Sequence, residues 1–318
     1  MDLVKTREGT QRMVSQNEWV VWLNGELVPE REALIPFRDR GFKYGDAIYD
    51  TTRTFGHRIF KLDEHLDRLF RSLTYTRLEP GLDRDDFKTA TEAVVAHNLA
   101  TVPDDEDIWV TQRVSRGLDE ADRAIYPGYP DCTVIVECRP LPYADRAPAF
   151  RDGIEIVVPS VRRPAPDTVS PRAKIGNYMN LILGDLEVKR TQPNAQPVLL
   201  DTNGNLAEGR GSNIFIVRDG TVLTPQERYV LPGISRETTI ELAAKMGIPC
   251  EEADIDLYDA ATADEAFITS TSWCICPIQS INGHDLQGGI PGPITQRLID
   301  AYIELVDCDW LGQYLKHA

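Results

Sequence analysis

The 318-residue chain has only six cysteines and five histidines, and no apolar run approaches the roughly 20 residues a membrane-crossing helix requires. Its longest apolar stretches, near 132–138 and 154–158, are of strand length and interrupted by charge. The opening MDLVKTREGTQRMVSQNE is polar and lacks the apolar core of a secretory signal, so export is not expected. Six cysteines in a chain this long do not make a disulfide framework. Cys274 and Cys276 sit two apart at what reads as a strand end and share one face. Neither Cys132, Cys138 nor the histidines supply a second ligand pair at zinc spacing, so no metal site is expected and the thiols read as ordinary buried or half-buried side chains. Positive charge is scarce as well: 34 Lys and Arg stand against 50 Asp and Glu, a formal net charge of −16. Nucleic-acid binding needs a basic footprint and is excluded on that ground. What remains is a soluble, cytoplasmic protein, 42% hydrophobic and long enough for two domains.

Residues 19–28, WVVWLNGELV, read as strand, Asn-Gly turn, strand. A second hairpin is expected over 47–62 around Gly56-His57. It runs into EHLDRLFRSL, where Leu66, Leu69, Phe70 and Leu73 follow helical spacing. A helix over 85–98 and strands over 108–116 and 131–139 complete a small first domain at 18–139, preceded by an extension, 1–17. The proline-bearing RPLPYADRAPAFRDG has linker composition, which puts an interdomain linker at 140–152. The second domain, 153–318, opens with the strand IEIVV and continues with a helix near 176–190 and strands near 197–201, 213–217 and 221–223. A helix over 235–247, strands near 266–270 and 275–281, and a terminal helix from about 293 follow. The turns DTNGN and RDG imply antiparallel pairing. The fold class is α+β.

Several turns could carry chemistry. EGRGSN at 208–213 is a tight glycine turn and not a dinucleotide fingerprint, because no strand–GxGxxG–helix unit surrounds it. LPGISRETTIELAAKMG at 231–247 places turn residues before a helix, with Ser235 expected as its N-cap. The free N–H groups of such a helix start also bind phosphate. TSTS at 269–272 adds hydroxyls after a strand. Lys174 lies in PRAKIGNYMN, with Tyr178 four residues on. A lysine is a surface residue by default, yet a partly desolvated one loses its proton and becomes a nucleophile towards carbonyls. No Ser-His-Asp constellation competes.

Taken in order, YGDAIYD, EHLDRL, AKIGNYMN, AEGRGSNIF, LPGISRE and TSTSWCICPI resemble the fold-type IV family of pyridoxal-phosphate enzymes. That family includes branched-chain aminotransferases, D-amino-acid aminotransferases, (R)-selective amine transaminases and aminodeoxychorismate lyase. The resemblance runs from about residue 18 to the C-terminus. It implies a small α/β N-terminal domain and a larger C-terminal domain with an antiparallel-rich pseudo-barrel. It also implies a cofactor lying between the two, and a homodimer in which a neighbouring loop closes the substrate pocket. Lys174 matches the lysine that holds pyridoxal 5′-phosphate covalently and shuttles the substrate proton. Glu208 matches the partner of the pyridinium nitrogen, whose protonation lets the ring accept electrons. Tyr178 matches the tyrosine on the phenolate oxygen, and Arg68 the phosphate arginine. The amides of Ile234 and Ser235 and the hydroxyls of Thr271 and Ser272 would complete the phosphate cup.

The activity implied is ping-pong transfer of an amino group between an amino donor and a 2-oxo acid. Branched-chain donors come first on family frequency. D-amino-acid or (R)-amine transamination is the alternative, ahead of a lyase or a non-catalytic relative. Branched-chain enzymes usually carry a Glu-Gly pair after the first tyrosine motif. Here Tyr49-Asp50-Thr51-Thr52-Arg53 stands instead, closer to the D-amino-acid and (R)-amine branches, as is the PGP run at 291–293. Trp273 replaces a small residue after the phosphate turn and is expected to wall or shrink a substrate pocket. Arg113, Arg116 and Arg123 are the candidates for the substrate carboxylate, each with a plain surface ion pair as the competing reading. Tyr44 and Tyr49 are expected to line the pocket.

Overall fold

The computed structural model describes residues 18–318, together with the backbone of two short antiparallel strands before them, β1 (Leu3–Lys5) and β2 (Gln11–Met13). The expectation of an extension at 1–17 otherwise lies outside the described residues. The chain forms two compact units. One is Met1–Leu141 with Ala173–Asn177, the other Pro142–Arg172 with Tyr178–Ala318.

The first unit runs β3 (Val20–Leu23), β4 (Glu26–Pro29), α1 (Arg40–Tyr44), β5 (Ala47–Phe55), β6 (Arg58–Ile59), α2 (Leu62–Thr76), α3 (Arg84–Leu99), β7 (Ile108–Ser115), α4 (Glu120–Arg123) and β8 (Thr133–Pro140). Its six-stranded sheet, ordered β4-β3-β8-β7-β5-β6, is antiparallel throughout. Asn24 and Gly25 both take positive φ, the conformation a two-residue turn between twisted strands demands. Leu66, Leu69 and Leu73 of α2 lie on one helical face and pack with Ile48, Val114, Val134 and Phe87. A reciprocal Asp83–Asp86 box caps α3.

The second unit comprises α5 (Tyr143–Asp152), β9 (Ile154–Val157), α6 (Met179–Lys189), β10 (Gln196–Leu200), β11 (Leu206–Gly209), β12 (Asn213–Arg218), β13 (Thr221–Pro225), α7 (Ile234–Lys245), β14 (Cys250–Ala253), α8 (Leu257–Ala261), β15 (Glu265–Ser270), β16 (Cys274–Ile281), β17 (His284–Asp285), α9 (Pro293–Val306) and α10 (Trp310–Leu315). Its strands run β11-β10-β9-β16-β15-β12, and β12 pairs back with β11, which closes a pseudo-barrel. The pairing is not purely antiparallel. β9 runs parallel to both β10 and β16, and β13 parallel to β14.

Two boundaries differ from the sequence reading. The stretch expected as a linker, 140–152, is mostly the helix α5. Its Tyr143, Ala147 and Phe150 recur at helical spacing and are buried, with the rings of Tyr143 and Phe150 packed on Tyr314 of α10. Pro140 ends β8 and Pro142 sits at the helix N-cap, where a missing N–H costs little, while Pro148 lies inside α5 and forgoes one intrahelical bond that the buried Tyr143, Ala147 and Phe150 outweigh. The second difference concerns Lys174, which belongs to the first unit. Its segment pairs with β5: Tyr49 N–H donates to the Lys174 carbonyl at 3.0 Å, Gly176 N–H to that of Ala47 at 2.6 Å, and Ile48 bridges Ile175.

Candidate active site

In the first unit, α2 presents His65, Arg68 and Ser72 along one face, all buried. Arg68 grips Asp50 of β5 with two charge-assisted bonds, Nε to Oδ2 at 2.8 Å and Nη2 to Oδ1 at 2.7 Å. His65 Nδ1 lies 2.7 Å from the same Oδ1. Burial alone would raise the Asp50 pKa. The Arg68 charge and the bonds from Arg68 and His65 overcome that and hold the carboxyl well below the usual range. Burial lowers the His65 pKa despite its bond to Asp50, and the Arg68 and Lys174 charges lower it further, so the imidazole is neutral.

Ser72 joins this cluster to Lys174: its hydroxyl donates to the Arg68 carbonyl at 3.0 Å and accepts the Lys174 N–H at 3.1 Å. The Lys174 backbone is thus held by β5 on one side and α2 on the other. Its side chain is half-buried, with Nζ 4.5 Å from the centre of the Tyr49 ring. The glycines of the flanking motifs permit this approach. At Gly45, where φ is +69°, an added Cβ would meet Asn177 Cα at 3.3 Å, and at Gly176 one would meet the Ala47 carbonyl at 3.2 Å.

Other expected residues of this unit have partners within it. Tyr44 is exposed beneath Arg40 and Lys43. Arg113 pairs with Glu137 at 2.9 Å while its guanidinium lies 5.1 Å from the Tyr49 ring centre. Arg116 pairs with Asp46 at 2.9 Å and donates to the carbonyls of Thr76 and Arg77. Arg123 pairs with Asp131. Each of the three carboxylate candidates therefore faces a carboxylate of the chain itself.

In the second unit, Glu208 is buried on β11. Its Oε2 accepts the Leu231 N–H at 2.9 Å, and its Oε1 meets Arg163 Nη2 at 2.9 Å. Asn213, opposite Glu208 in the β11–β12 register, donates Nδ2 to the Leu231 carbonyl at 2.9 Å. These bonds shape the LPG turn from which α7 starts. Ser235 is not the N-cap: Gly233 is, because a Cβ there would meet Asn213 Oδ1 at 2.2 Å and only glycine fits. Ile234 and Ser235 occupy the first helical positions, the ones whose amides lack intrahelical partners.

The Ser270–Cys274 turn is braced by Trp273 N–H on Ser270 Oγ at 3.1 Å and by the Tyr314 hydroxyl on the Ser272 carbonyl at 2.8 Å. Trp273 is half-buried against Phe150, and the Arg146 guanidinium lies over its ring, 4.1 Å from the centre. Arg146 also donates to Ser272 Oγ. Thr271 sits in the same turn and Tyr178 immediately precedes α6, half-buried. Arg163, Asn213 and Arg146 escaped the sequence reading. Only the Asn213 position, closing the EGRGSN motif, carried a local signal.

The sequence model of the amino-transferase class IV family matches residues 47–281. A putative branched-chain-amino-acid aminotransferase of Methanocaldococcus jannaschii is 32% identical over 90% of this chain and 96% of its own length. The branched-chain-amino-acid aminotransferase of Escherichia coli (strain K12) is 30% identical over 92% and 94%. The chain spans about half the length of branched-chain-amino-acid aminotransferase-like protein 1 of Arabidopsis thaliana, 32% identical over 91% of this chain and 51% of that protein. Among solved structures, the E. coli branched-chain enzyme superposes with a TM-score of 0.82 at 28% identity, covering 91% of this chain and 95% of that one. That of Thermoproteus uzoniensis, determined with norvaline, gives 0.79 at 30% identity over 94% and 97%. The chain belongs to the class IV aminotransferases, and its activity class is pyridoxal-phosphate-dependent transamination.

Proposed function

We propose that the chain transfers amino groups between branched-chain L-amino acids and 2-oxo acids, with Lys174 as the residue that bonds the cofactor. The carrying observation is a half-buried lysine whose backbone is fixed by Tyr49 and Ser72. The donor set suits pyridoxal phosphate. It offers a half-buried amine, a buried carboxylate on an N–H and a guanidinium, and a helix start beside a hydroxyl-rich turn. Just before that turn, near the end of β15, the buried Thr269 Oγ1 has no protein partner. When bound, the cofactor supplies an aldehyde that exchanges amines and a ring that accepts the electrons left by the departing Cα proton.

Lys174 Nζ would carry that proton to and from the substrate Cα. Glu208, paired with Arg163, would keep the ring nitrogen protonated, and Tyr178 would donate to the phenolic oxygen. The residues that would hold its phosphate are Arg68, the Ile234 and Ser235 amides, and the Thr271 and Ser272 hydroxyls. Two of the five N–H donors of Arg68 already face Asp50, which presets the plane of its fork. Tyr49, whose ring lies at Lys174 Nζ, would line the substrate side, and Trp273 is the expected wall residue of the second unit. Borohydride reduction of purified protein followed by peptide mapping is expected to place the phosphopyridoxyl group on Lys174. A protein that takes up no cofactor, or an adduct elsewhere, removes the assignment.

The branched-chain reading is supported by the names of the relatives. A D-amino-acid or (R)-amine donor is the second reading, favoured by the Tyr49–Arg53 stretch of β5 and by the PGP run at 291–293. Half-reaction spectra with both enantiomers of leucine, alanine and 1-phenylethylamine separate the two. A homodimer is proposed on the exposed apolar surface of each unit: Phe37 and Phe42 in the first, and Met179, Leu183 and Leu186 along one face of α6 in the second. Sedimentation equilibrium tests it, and a strictly monomeric active enzyme contradicts it. Among the described residues no helix is long and apolar enough to cross a membrane. The six free cysteines suit a reducing, cytoplasmic compartment.

A further inference from the structure

We propose that Thr269 is a further phosphate-binding residue of the second unit, donating its hydroxyl to the cofactor phosphate at the start of α7. This assignment rests on the transaminase reading given above. Thr269 lies near the end of β15 and is fully buried, and its side-chain oxygen has no hydrogen-bond partner among the described residues. A hydroxyl left unsatisfied in the interior carries a cost that a valine of the same shape would not incur. Such a group calls for a ligand or a water that completes it.

The sheet register fixes where that partner stands. Glu208, Asn213 and Thr269 are directly opposed across β11, β12 and β15, so their side chains share one face of the sheet. One step along the same face, the rings of Phe215 and Phe267 stack with 4.9 Å between centres and 11° between planes, both fully buried. On β16 the residue opposite Thr269 is Ile275, also fully buried. None of these three side chains offers a donor or an acceptor. The polar side is that of Asn213. Its Nδ2 holds the Leu231 carbonyl, and its Oδ1 lies 2.2 Å from where a Cβ on Gly233 would stand. Gly233 is the N-cap of α7, which packs against β15.

An anion suits this position. The Ile234 and Ser235 amides at the start of the 12-residue α7 lack intrahelical partners and carry the positive end of its dipole. Two hydroxyls of the following turn are already engaged: Ser270 Oγ accepts the Trp273 N–H at 3.1 Å, and Ser272 Oγ accepts from Arg146. Thr269 stands two strands from Glu208, roughly 10 Å at ordinary strand spacing. With Glu208 assigned to the ring nitrogen, the row would run from the ring end of the cofactor to its phosphate end. A buried water is the other occupant a hydroxyl can take. It needs about two to four polar partners, which Phe215, Phe267 and Ile275 do not supply.

The test compares pyridoxal 5′-phosphate with pyridoxal, which lacks the phosphate, as ligands of the full-length protein resolved from its cofactor. Affinities are read from the cofactor absorption band, and the stability of the cofactor-free protein from urea unfolding. Loss of one hydrogen bond to a charged group corresponds to roughly 10- to 100-fold in affinity. Thr269→Val is expected to raise the Kd for pyridoxal phosphate by about that factor and to leave the Kd for pyridoxal unchanged. The cofactor-free variant should be at least as stable as wild type, because an unsatisfied hydroxyl has been removed. Thr269→Ser keeps the hydroxyl and is expected to retain most of the preference for the phosphorylated compound. A Thr269→Val protein that binds pyridoxal phosphate as tightly as wild type overturns the proposal. So does one that is destabilised or unfolded without cofactor, since its hydroxyl then serves the fold or a resident water. A wild-type protein that binds neither compound overturns the transaminase reading instead.

Discussion

Asp50 is the most consequential single side chain of the first unit, because it is the buried counter-charge of Arg68. Removing one partner of such a pair leaves the other charge desolvated, at a cost of about 3–5 kcal/mol. Asp50→Asn is therefore expected to lower the urea midpoint by that equivalent and to weaken cofactor uptake, since Arg68 loses the fork that orients it. The pH dependence has a definite sign. The His65 pKa is depressed in the folded protein, so its contribution is full above the unfolded value of 6.5 and is lost as pH falls towards the folded value. Stability measured by urea unfolding should decline as pH drops below 6.5, and His65→Asn should flatten that slope. Asp50 adds to the same trend only at far lower pH, below its unfolded value of 3.8. The cysteines behave differently. Burial pushes the Cys138 thiol up to about 12 and raises that of Cys276 as well, so neither offers a thiolate. Native alkylation, mapped by mass spectrometry, should mark the half-buried Cys250 and Cys308 and spare the other four.

The start of α7 is set by contacts that only glycine allows. An alanine at Gly233 would drive its Cβ to 2.2 Å from Asn213 Oδ1, displacing the amide that holds Leu231. Overpacking of this kind costs about 1–3 kcal/mol, and the shifted Ile234 and Ser235 amides should raise the dissociation constant for pyridoxal phosphate. The start of α9 is handled by charge. Glu265 of β15 accepts from the Ile294 and Thr295 amides at 2.9 and 2.8 Å and from the Thr295 hydroxyl at 2.7 Å. A carboxylate there satisfies orphan N–H groups and faces the positive end of the helix dipole. Glu265→Gln is expected to destabilise by about 1–2 kcal/mol in thermal or urea unfolding. A change under about 0.3 kcal/mol would mean that the cap is energetically idle.

Across the whole molecule the acidic excess, −16, sets a diffuse repulsion that favours the expanded chain. At about 0.15 M salt the Debye length is about 8 Å, so added salt screens most of it. Calorimetry should show a higher unfolding temperature in salt than in dilute buffer, whereas dominance by surface ion pairs would reverse the sign. The sequence carried everything that depends on near neighbours: the Asn24-Gly25 hairpin, the α2 stripe of Leu66, Leu69 and Leu73, and the ordered motifs that name Lys174, Tyr178 and Glu208. Spacing and turn chemistry are written within a few residues and can be read there. Closure of the barrel through β11 and β12, the helix α5 in place of a linker, and the pairing of the Lys174 segment with β5 were settled by folding. So were the Arg163–Glu208 pair and the Arg146 contact with Ser272, 126 residues away in the chain. The Lys174–β5 pairing and the Arg163–Glu208 and Arg146–Ser272 contacts join groups distant in sequence, and α5 is fixed by packing on the likewise distant Tyr314. Such bonding emerges only when burial makes an unpaired charge or backbone group too costly to leave.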